Sequence, residues 1–328
     1  MKREYLISAG VIILFIFFIS CQKLSINNLK ANYHFKKANK LYSDQNYKKA
    51  IEEYEETMKY APNLASAHFY LGSCYQLLFK PGIESEDNKK KAEKAIEHFN
   101  RVLELDPNNK DVFYNLGDIY DRLRNFEQAE KYYKKILELD PKNSNNYYVV
   151  AEFYNKYDKD DQAVKMYLKR IELDPSNPEG YSYLASFYSN KINVLTDLEK
   201  AKDYMRKSIE IHEKRVALDP NNAEAFYSLG VTCWAMSYRV MPNEINEERR
   251  AIIEKGIKAL EKSIELAPDY PDPNAWAGLL YRELAKVDIK NEKKYKQIAE
   301  DYLRKHNEVR ERKLEKEKLL EQMRAVTR

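Results

Sequence analysis

Five histidines and three cysteines are the side chains best suited to ligate metals or act as nucleophiles in this sequence of 328 residues. No HExxH or CxxC spacing joins any of them, and these are the spacings that bring metal ligands together. His98 and His306 lie in charged segments with no second ligand four residues later. Acidic pairs such as Glu52–Glu53 are frequent, but Asp and Glu number 52, so pairs arise by chance. The sequence predicts no catalytic residues, no metal site and no cofactor.

Composition also disfavours two classes of partner. The eight glycines are scattered, so no glycine-rich loop exists to cradle a phosphate, and we expect no nucleotide-loop enzyme and no small-molecule substrate. The net charge is +4, from 56 basic and 52 acidic residues, which is small for a nucleic-acid-binding surface. Three cysteines are too few for a disulfide scaffold. We therefore expect a helix-rich protein that binds neither nucleic acid nor nucleotide.

Cys21 is the one cysteine whose surroundings indicate a modification. Lys2 and Arg3 precede an uncharged apolar run over residues 6–19. As a helix this run spans roughly 21 Å, shorter than the ~30 Å hydrocarbon core of a bilayer. A basic start and a short apolar run are typical of a secretory signal peptide. The run ends in Phe-Ile-Ser-Cys, which resembles the lipobox of bacterial lipoproteins, with the small residue Ser20 before the cysteine.

The lipobox resemblance implies a signal peptide over residues 1–20, a lipid on Cys21 and a lipid-anchored linker over residues 21–30. The chain would then be a membrane protein of the bacterial cell envelope, at the outer membrane or facing the periplasm. Gln22, in place of the aspartate that retains lipoproteins at the inner membrane, leans towards the outer membrane. The alternative is an uncleaved transmembrane signal anchor in which Cys21 is incidental. In both cases the remaining chain lies outside the cytoplasm.

The elements that position the other residues follow from a repeat. Six similar segments, such as ELDPN and ELAPD, each end in a proline that blocks helix continuation. The prolines are 45, 34, 34, 45 and 48 residues apart, so repeats of 34 residues carry insertions of 11, 11 and 14 residues in repeats 2, 5 and 6. The prolines are Pro62, Pro107, Pro141, Pro175, Pro220 and Pro268.

Three positions of the repeat have a fixed size when the proline is numbered 32. Positions 8 and 20 are small, as close helix crossings require, and position 24 is bulky. Position 8 holds Ala38, Gly72, Gly117, Ala151, Ala185 and Gly230. Position 20 holds Ala50, Ala95, Ala129, Ala163, Ser208 and Gly256. Position 24 holds Tyr54, Phe99, Tyr133, Tyr167, His212 and Leu260.

This pattern resembles the tetratricopeptide repeat (TPR) family over residues 31–270, with a seventh first helix at Asn274–Leu284. The resemblance implies an all-α fold: a right-handed α-solenoid of six to seven helix–turn–helix repeats over residues 31–290, followed by a charged C-terminal capping helix or tail over residues 291–328. A coiled-coil strand is the alternative for the tail, although the apolar residues that would form its seam are too few for a sustained heptad repeat. These are Leu314, Leu319, Leu320 and Met323.

In this family the first helices line a concave groove, and positions 2, 5, 9 and 12 commonly face a ligand. The resemblance implies a non-enzymatic scaffold or adaptor that binds an extended peptide or loop of a partner protein there. Acidic side chains at the centre favour a basic ligand. The predicted partner-binding residues are Phe35, Asn39, Phe69, Tyr114, Asp118, Asp121, Tyr148, Asn155, Tyr227 and Trp234. The alternative is that the rings only pack between neighbouring first helices.

The third insertion suggests a second surface. Residues 234–250 contain WAMSYRVMP, and four of its side chains are apolar or aromatic enough to form a partner-binding patch. The alternative is that they cover the neighbouring repeat. The patch would consist of Trp234, Met236, Tyr238 and Met241.

Mass spectrometry of the N terminus, on protein purified from membranes, tests the anchor. A diacylated or triacylated Cys21 as the first residue is the expected result, because the lipobox resemblance implies cleavage after Ser20. A chain that still begins with Met1 would show that the signal-anchor alternative is right.

Overall fold

The computed structural model describes residues 26–192 and 195–326. The predicted signal peptide and Cys21 lie outside these residues. Within them the chain forms fourteen α-helices, in seven successive pairs, and no strand, which confirms the predicted all-α TPR fold. The helices are α1 (26–43), α2 (Tyr47–Tyr60), α3 (Ala65–Leu78), α4 (Glu86–Leu105), α5 (Lys110–Arg122), α6 (Phe126–Leu139), α7 (Ser144–Lys156), α8 (Asp160–Leu173), α9 (Pro178–Lys191), α10 (Leu198–Leu218), α11 (Ala223–Ala235), α12 (Glu247–Leu266), α13 (Asp272–Val287) and α14 (Glu292–Val326).

The described chain divides into two compact units, with the boundary between Asn146 and Tyr147. Unit 1 contains α1 to α6, which are repeats 1 to 3. Unit 2 contains α7 from Tyr147 onwards and the remaining helices, which are repeats 4 to 7. Residues 26–30, predicted as part of a linker, already belong to α1.

Local backbone conformation and side-chain caps account for many of the helix ends. In repeats 1, 3 and 4 a three-residue turn joins the two helices, with one residue in the left-handed region: Gln45, Arg124 or Asp158, with φ of 57°, 57° and 53°. Side-chain oxygens cap the exposed N–H groups at many helix starts. The capping residues are Ser85, Asn109, Asn125, Asn177, Asp197, Asn222 and Asn246.

One contact recurs inside the repeats: the small residue at position 8 meets the bulky residue at position 24. A Cβ added at Gly117 would lie 2.7 Å from the Tyr133 ring, and one at Gly230 would lie 2.4 Å from Leu260. A Cβ at Gly256, position 20, would lie 2.6 Å from the Cβ of Cys233. Residues at these three positions are buried in all six repeats. The small side chains therefore set how closely the helices approach.

The insertions mainly lengthen second helices. α4, α10 and α12 have 20, 21 and 20 residues, whereas α2, α6 and α8 have 14 each. The third insertion adds a π-helical turn, Met236–Val240, directly after α11. Met236 and Met241 are completely buried, so the predicted exposed patch is wrong for both methionines, and the alternative that they cover a neighbouring helix is right.

A buried ion pair fixes this insertion. Arg249 Nη2 donates to Glu283 Oε2 at 2.6 Å, and both side chains are almost fully inaccessible. The same guanidinium donates to Ser237 Oγ at 3.2 Å and to the Glu244 carbonyl at 2.8 Å. Glu283 neutralises the charge of Arg249, and most of the guanidinium N–H groups have an acceptor. The pair can therefore lie in the core, where it connects α12, α13 and the π-helical turn.

The C-terminal helix α14 has a packed half and an exposed half. Ala299 is buried, and the Tyr302 ring stacks on Tyr281 of α13 at 5.6 Å. Leu303 remains exposed, and every residue from 310 to 324 is exposed. No helix within residues 26–192 and 195–326 has both the length and the apolar content to cross a bilayer.

Two histidines meet in the core of repeat 2, a contact the sequence did not reveal. The Nδ1 atoms of His68 and His98 are 3.1 Å apart, and His68 Nε2 lies 2.9 Å from the Pro62 carbonyl oxygen. Because the carbonyl only accepts, His68 Nε2 is the donor, and His98 Nδ1 then donates to His68 Nδ1. Burial lowers the pKa of His98 to about 4, and it does the same for His212 at position 24.

We expect Gly117→Ala to lower the free energy of unfolding by about 1–3 kcal/mol, because the new methyl group overlaps the buried Tyr133 ring. The overlap with the Tyr133 ring should cost more than the ~1 kcal/mol by which alanine stabilises a helix over glycine, so the net effect is a loss of stability. Urea denaturation followed by circular dichroism measures it. Gly180→Ala is the matched control, since a Cβ added at Gly180 would come no closer than 3.2 Å to any neighbour, the Ile171 side chain. An equal or higher stability for Gly117→Ala would refute the packing constraint.

We expect stability to fall between pH 6.5 and pH 4. Unfolded histidine binds a proton near pH 6.5, whereas folded His98 and His212 bind one only near pH 4, so acid favours the unfolded chain. Each should contribute about 3 kcal/mol to the loss. Urea denaturation of the wild type and His98→Phe at both ends of this range measures it. The variant should lose less stability than the wild type, and an identical loss would contradict the assignment.

Candidate protein-binding faces

The first helix of each repeat carries the predicted partner-binding residues. We call α1, α3 and α5 the first-helix face of unit 1, and α7, α9, α11 and α13 the first-helix face of unit 2. None of the ten predicted residues is buried. Unit 1 holds Phe35, Asn39, Phe69, Tyr114, Asp118 and Asp121. Unit 2 holds Tyr148, Asn155, Tyr227 and Trp234.

On unit 1, Tyr70 joins the aromatic residues of α1 and α3. Its ring stacks on Tyr54 at 5.9 Å and lies 6.2 Å from Phe35 and 5.5 Å from Phe69. Phe35 and Phe69 are therefore half-buried packing residues as well as surface residues. The sequence pattern missed Tyr70 because it stands one residue after position 5, on the side of α3 that meets α1.

Tyr114 is the most accessible ring among the ten predicted residues. Its side chain is 47% exposed, and its only aromatic neighbour among the described contacts is Tyr133, at 6.5 Å and nearly perpendicular. Asn39, further along the face, accepts a hydrogen bond at Oδ1 from the Tyr54 hydroxyl at 2.7 Å. This face thus offers an exposed ring on α5 and, on α1, an amide side chain that is already held in place.

The negative charge of Asp118 on unit 1 is already partly balanced by neighbouring side chains. Asp118 Oδ2 accepts a hydrogen bond from Gln76 Nε2 at 2.6 Å and lies 3.7 Å from Arg122 Nη1. The Arg122 guanidinium also donates to the Gln76 and Phe79 carbonyls and lies over the Phe79 ring. Asp118 thus joins α3 to α5, and a basic ligand would have to compete with Arg122 for its charge.

On unit 2, Tyr148 is fixed between α7 and α9. Its ring centroid lies 4.2 Å from that of Tyr183, and the buried Arg170 guanidinium lies 5.4 Å and 5.1 Å from the two centroids. Arg170 also pairs with Glu179 at 3.1 Å. Burial raises the pKa of Tyr148, so its hydroxyl stays protonated and can donate to a partner.

Both tryptophans of the chain lie together on unit 2. The Trp234 ring stacks on Tyr238 at 4.8 Å and meets Trp276 edge-on at 4.7 Å, and we call these three residues the tryptophan cluster. The Arg239 guanidinium and the Lys286 ammonium lie over its rings. Tyr238 is 49% exposed, and both tryptophans are half-buried. The sequence indicated Trp234 but not Trp276, which contacts it across 42 residues.

Along the part of the chain that the structure describes, no group of three or more His, Cys, Asp or Glu residues could hold a metal ion. Cys74 and Cys233 are buried free thiols, and burial raises the pKa of each to about 12. A thiol with such a pKa is a poor nucleophile at neutral pH. The first-helix faces present aromatic, amide and carboxylate side chains, which can make non-covalent contacts with a partner.

Comparisons with known protein families identify the same type of repeat in this chain. Family models match residues 111–143, described as a tetratricopeptide repeat, and residues 89–123, described as a TPR repeat. No curated protein matches the chain. The matched residues cover α4 to α6, and the first match coincides with repeat 3 as the prolines define it.

Among solved structures similar to this chain, one has a TM-score above 0.5 and agrees with the helical repeat fold. The C-terminal part of a TPR repeat-containing protein from Cytophaga hutchinsonii is 16% identical, covers 82% of this chain and 93% of its own, and has a TM-score of 0.57. A tetratricopeptide repeat protein from Parabacteroides merdae is 13% identical, with 85% and 99% covered and a TM-score of 0.47. PilF of Pseudomonas aeruginosa is 14% identical, with 80% and 99% covered and a TM-score of 0.44. With helix pairs built on one recurring contact and residues 89–143 matched by the family models, the chain contains tetratricopeptide repeats.

Proposed function

We propose that this chain is a non-enzymatic scaffold that is anchored in the bacterial envelope by its N terminus and binds a partner protein on its first-helix faces. One observation carries the binding proposal. All ten predicted contact residues retain accessible surface, whereas positions 8, 20 and 24 of the same helix pairs are buried. Accessible aromatic rings on a rigid support are what protein interfaces use as anchors.

The tryptophan cluster is the strongest candidate anchor. Trp and Tyr dominate interface energetics because they present a large apolar area and lose few rotatable bonds on binding. Trp234 and Trp276 are held edge-on at 4.7 Å, so the surface is already arranged before a partner arrives. Tyr238 and the flanking cations, Arg239 and Lys286, give the cluster a polar rim.

An extended peptide or an exposed loop is the ligand that suits these faces. Its backbone carries donors and acceptors that need partners, and Asn39, Asn155 and Asp118 stand among the rings at accessible positions. We propose a ligand with Lys or Arg facing Asp118 and Asp121. Since Arg122 already shares the charge of Asp118, this electrostatic contribution is small beside that of the aromatic contacts.

The proposed anchor rests on the sequence alone. The apolar run over residues 6–19 and the lipobox-like end at Cys21 support a lipid anchor, with a retained transmembrane signal anchor as the alternative. A scaffold held at a membrane fits the class of envelope lipoproteins of this architecture that assist secretin, pilus or outer-membrane assembly.

We expect Trp234→Ala to abolish capture of the partner by the tagged chain from solubilised membranes. The substitution removes the central ring of the cluster, and losing such an anchor costs about 2 kcal/mol or more of binding free energy. Leu168→Ala is the matched control, since Leu168 is a 49% exposed residue on the second helix α8. Quantitative mass spectrometry should show a protein lost with Trp234→Ala and kept with Leu168→Ala.

Thermal unfolding of both variants separates binding from folding. The proposal fails if a folded Trp234→Ala chain, and likewise Tyr114→Ala and Tyr148→Ala, captures the same proteins as the wild type. Asp118→Asn/Asp121→Asn tests the charge separately: capture should weaken and become less sensitive to salt if the ligand is basic.

A further inference from the structure

The outer face of the first helix carries exposed apolar side chains. Ile26, Leu29 and Tyr33 of α1 are 53%, 67% and 65% exposed. The opposite face of α1 is packed, with Ala31 and Ala38 buried. Terminal helices of repeat proteins normally present a polar outer face, because no further repeat covers them. Within residues 26–192 and 195–326, the stripe on α1 therefore remains uncovered.

Lysines border the apolar stripe on the same side of the helix. Residues 26–49 contain six lysines and one acidic residue, Asp44. At 3.6 residues per turn, the apolar stripe and four of these lysines fall within an arc of about 120°. Lys37 pairs with Glu53, and Lys30 lies over the Tyr60 ring, but Lys36 and Lys40 form no ion pair with any described residue. The four lysines are Lys30, Lys36, Lys37 and Lys40.

We propose that this face of α1 lies on the surface of a membrane that contains anionic phospholipids, with the apolar stripe in the interface and the lysines among the headgroups. The inference rests on the proposed membrane anchor. Only four residues lie between Cys21 and Ile26, so the five steps from one Cα to the next reach at most about 18 Å when fully extended. An anchored chain therefore keeps the start of α1 close to the lipid.

The chemistry of the stripe matches that of helices which lie in a membrane interface. Such helices place Leu, Ile and aromatic residues in the acyl boundary and lysines at the headgroups, and each lysine near an anionic surface adds to the attraction. A second copy of the chain is a poorer occupant. A symmetric contact would bring the lysines of two α1 helices together, and their like charges would repel each other.

Fluorescence quenching in vesicles tests the inference on the full chain. Leu29→Trp is reconstituted into phosphatidylethanolamine and phosphatidylglycerol vesicles with brominated acyl chains, and it should lose roughly half of its added fluorescence. Leu123→Trp, a 40% exposed site in the same unit, is the matched control and should be quenched little. The natural Trp234 and Trp276 contribute equally to both.

A charge reversal tests the role of the lysines. Lys30→Glu/Lys36→Glu/Lys40→Glu, added to Leu29→Trp, should bring its quenching down to the control level. Replacing phosphatidylglycerol by phosphatidylcholine should have the same effect. Lys89→Glu/Lys90→Glu/Lys94→Glu on α4 changes the net charge equally and should leave the quenching unchanged.

Flotation of the vesicles distinguishes the two proposals. A chain that floats but whose Leu29→Trp is quenched no more than Leu123→Trp overturns the inference and leaves the anchor intact. Dimerisation abolished by Leu29→Glu would then identify a second copy as the occupant. A wild-type chain that does not float at all contradicts both the anchor and the inference.

Discussion

The contact between position 8 and position 24 is the constraint on which the rest of this structure depends. A Gly or Ala on the first helix lets the second helix approach until a Tyr, Phe, His or Leu covers it, as Gly72 and Phe99 illustrate. Where position 8 is a glycine, this contact limits how closely the two helices of a pair approach. Gly256 at position 20 does the same towards the next repeat, where an added Cβ would lie 2.7 Å from the Leu280 side chain. Apolar burial then stabilises the pairs only when neighbours share it. Other first-helix residues, such as Leu71 and Leu116, are also buried, and only the accessible side of these helices is left for further contacts.

Much of the fold could be predicted because the same pattern of small and bulky residues occurs in six repeats of the sequence. The prolines gave the period, and the small and bulky positions located each helix pair, including α13 as a seventh first helix. The insertions were harder. Their polar and apolar residues are compatible with a loop or a longer helix, and only the packing around Arg249 and Glu283 makes Met236 and Met241 core residues.

The binding faces could be predicted position by position but not contact by contact. Positions 5, 9 and 12 did indicate mostly accessible residues, since helical periodicity fixes which side of a first helix stays uncovered. In repeat 2, however, Ser73 at position 9 and Gln76 at position 12 are buried. The partners of those residues come from other helices, at distances in sequence that periodicity does not encode. Tyr70 beside Phe35, Trp276 beside Trp234 and His98 beside His68 are all of this kind.

Hydroxyl-radical footprinting of the full chain, alone and with its captured partner, measures the central claim that buried repeat contacts support exposed binding faces. Tyr133 and Tyr167, at position 24, should resist oxidation in both states. Tyr114 or Trp234 should react in the free chain and become protected by the partner. Rapid oxidation of the position 24 rings, or partner protection confined to second helices, would contradict the account.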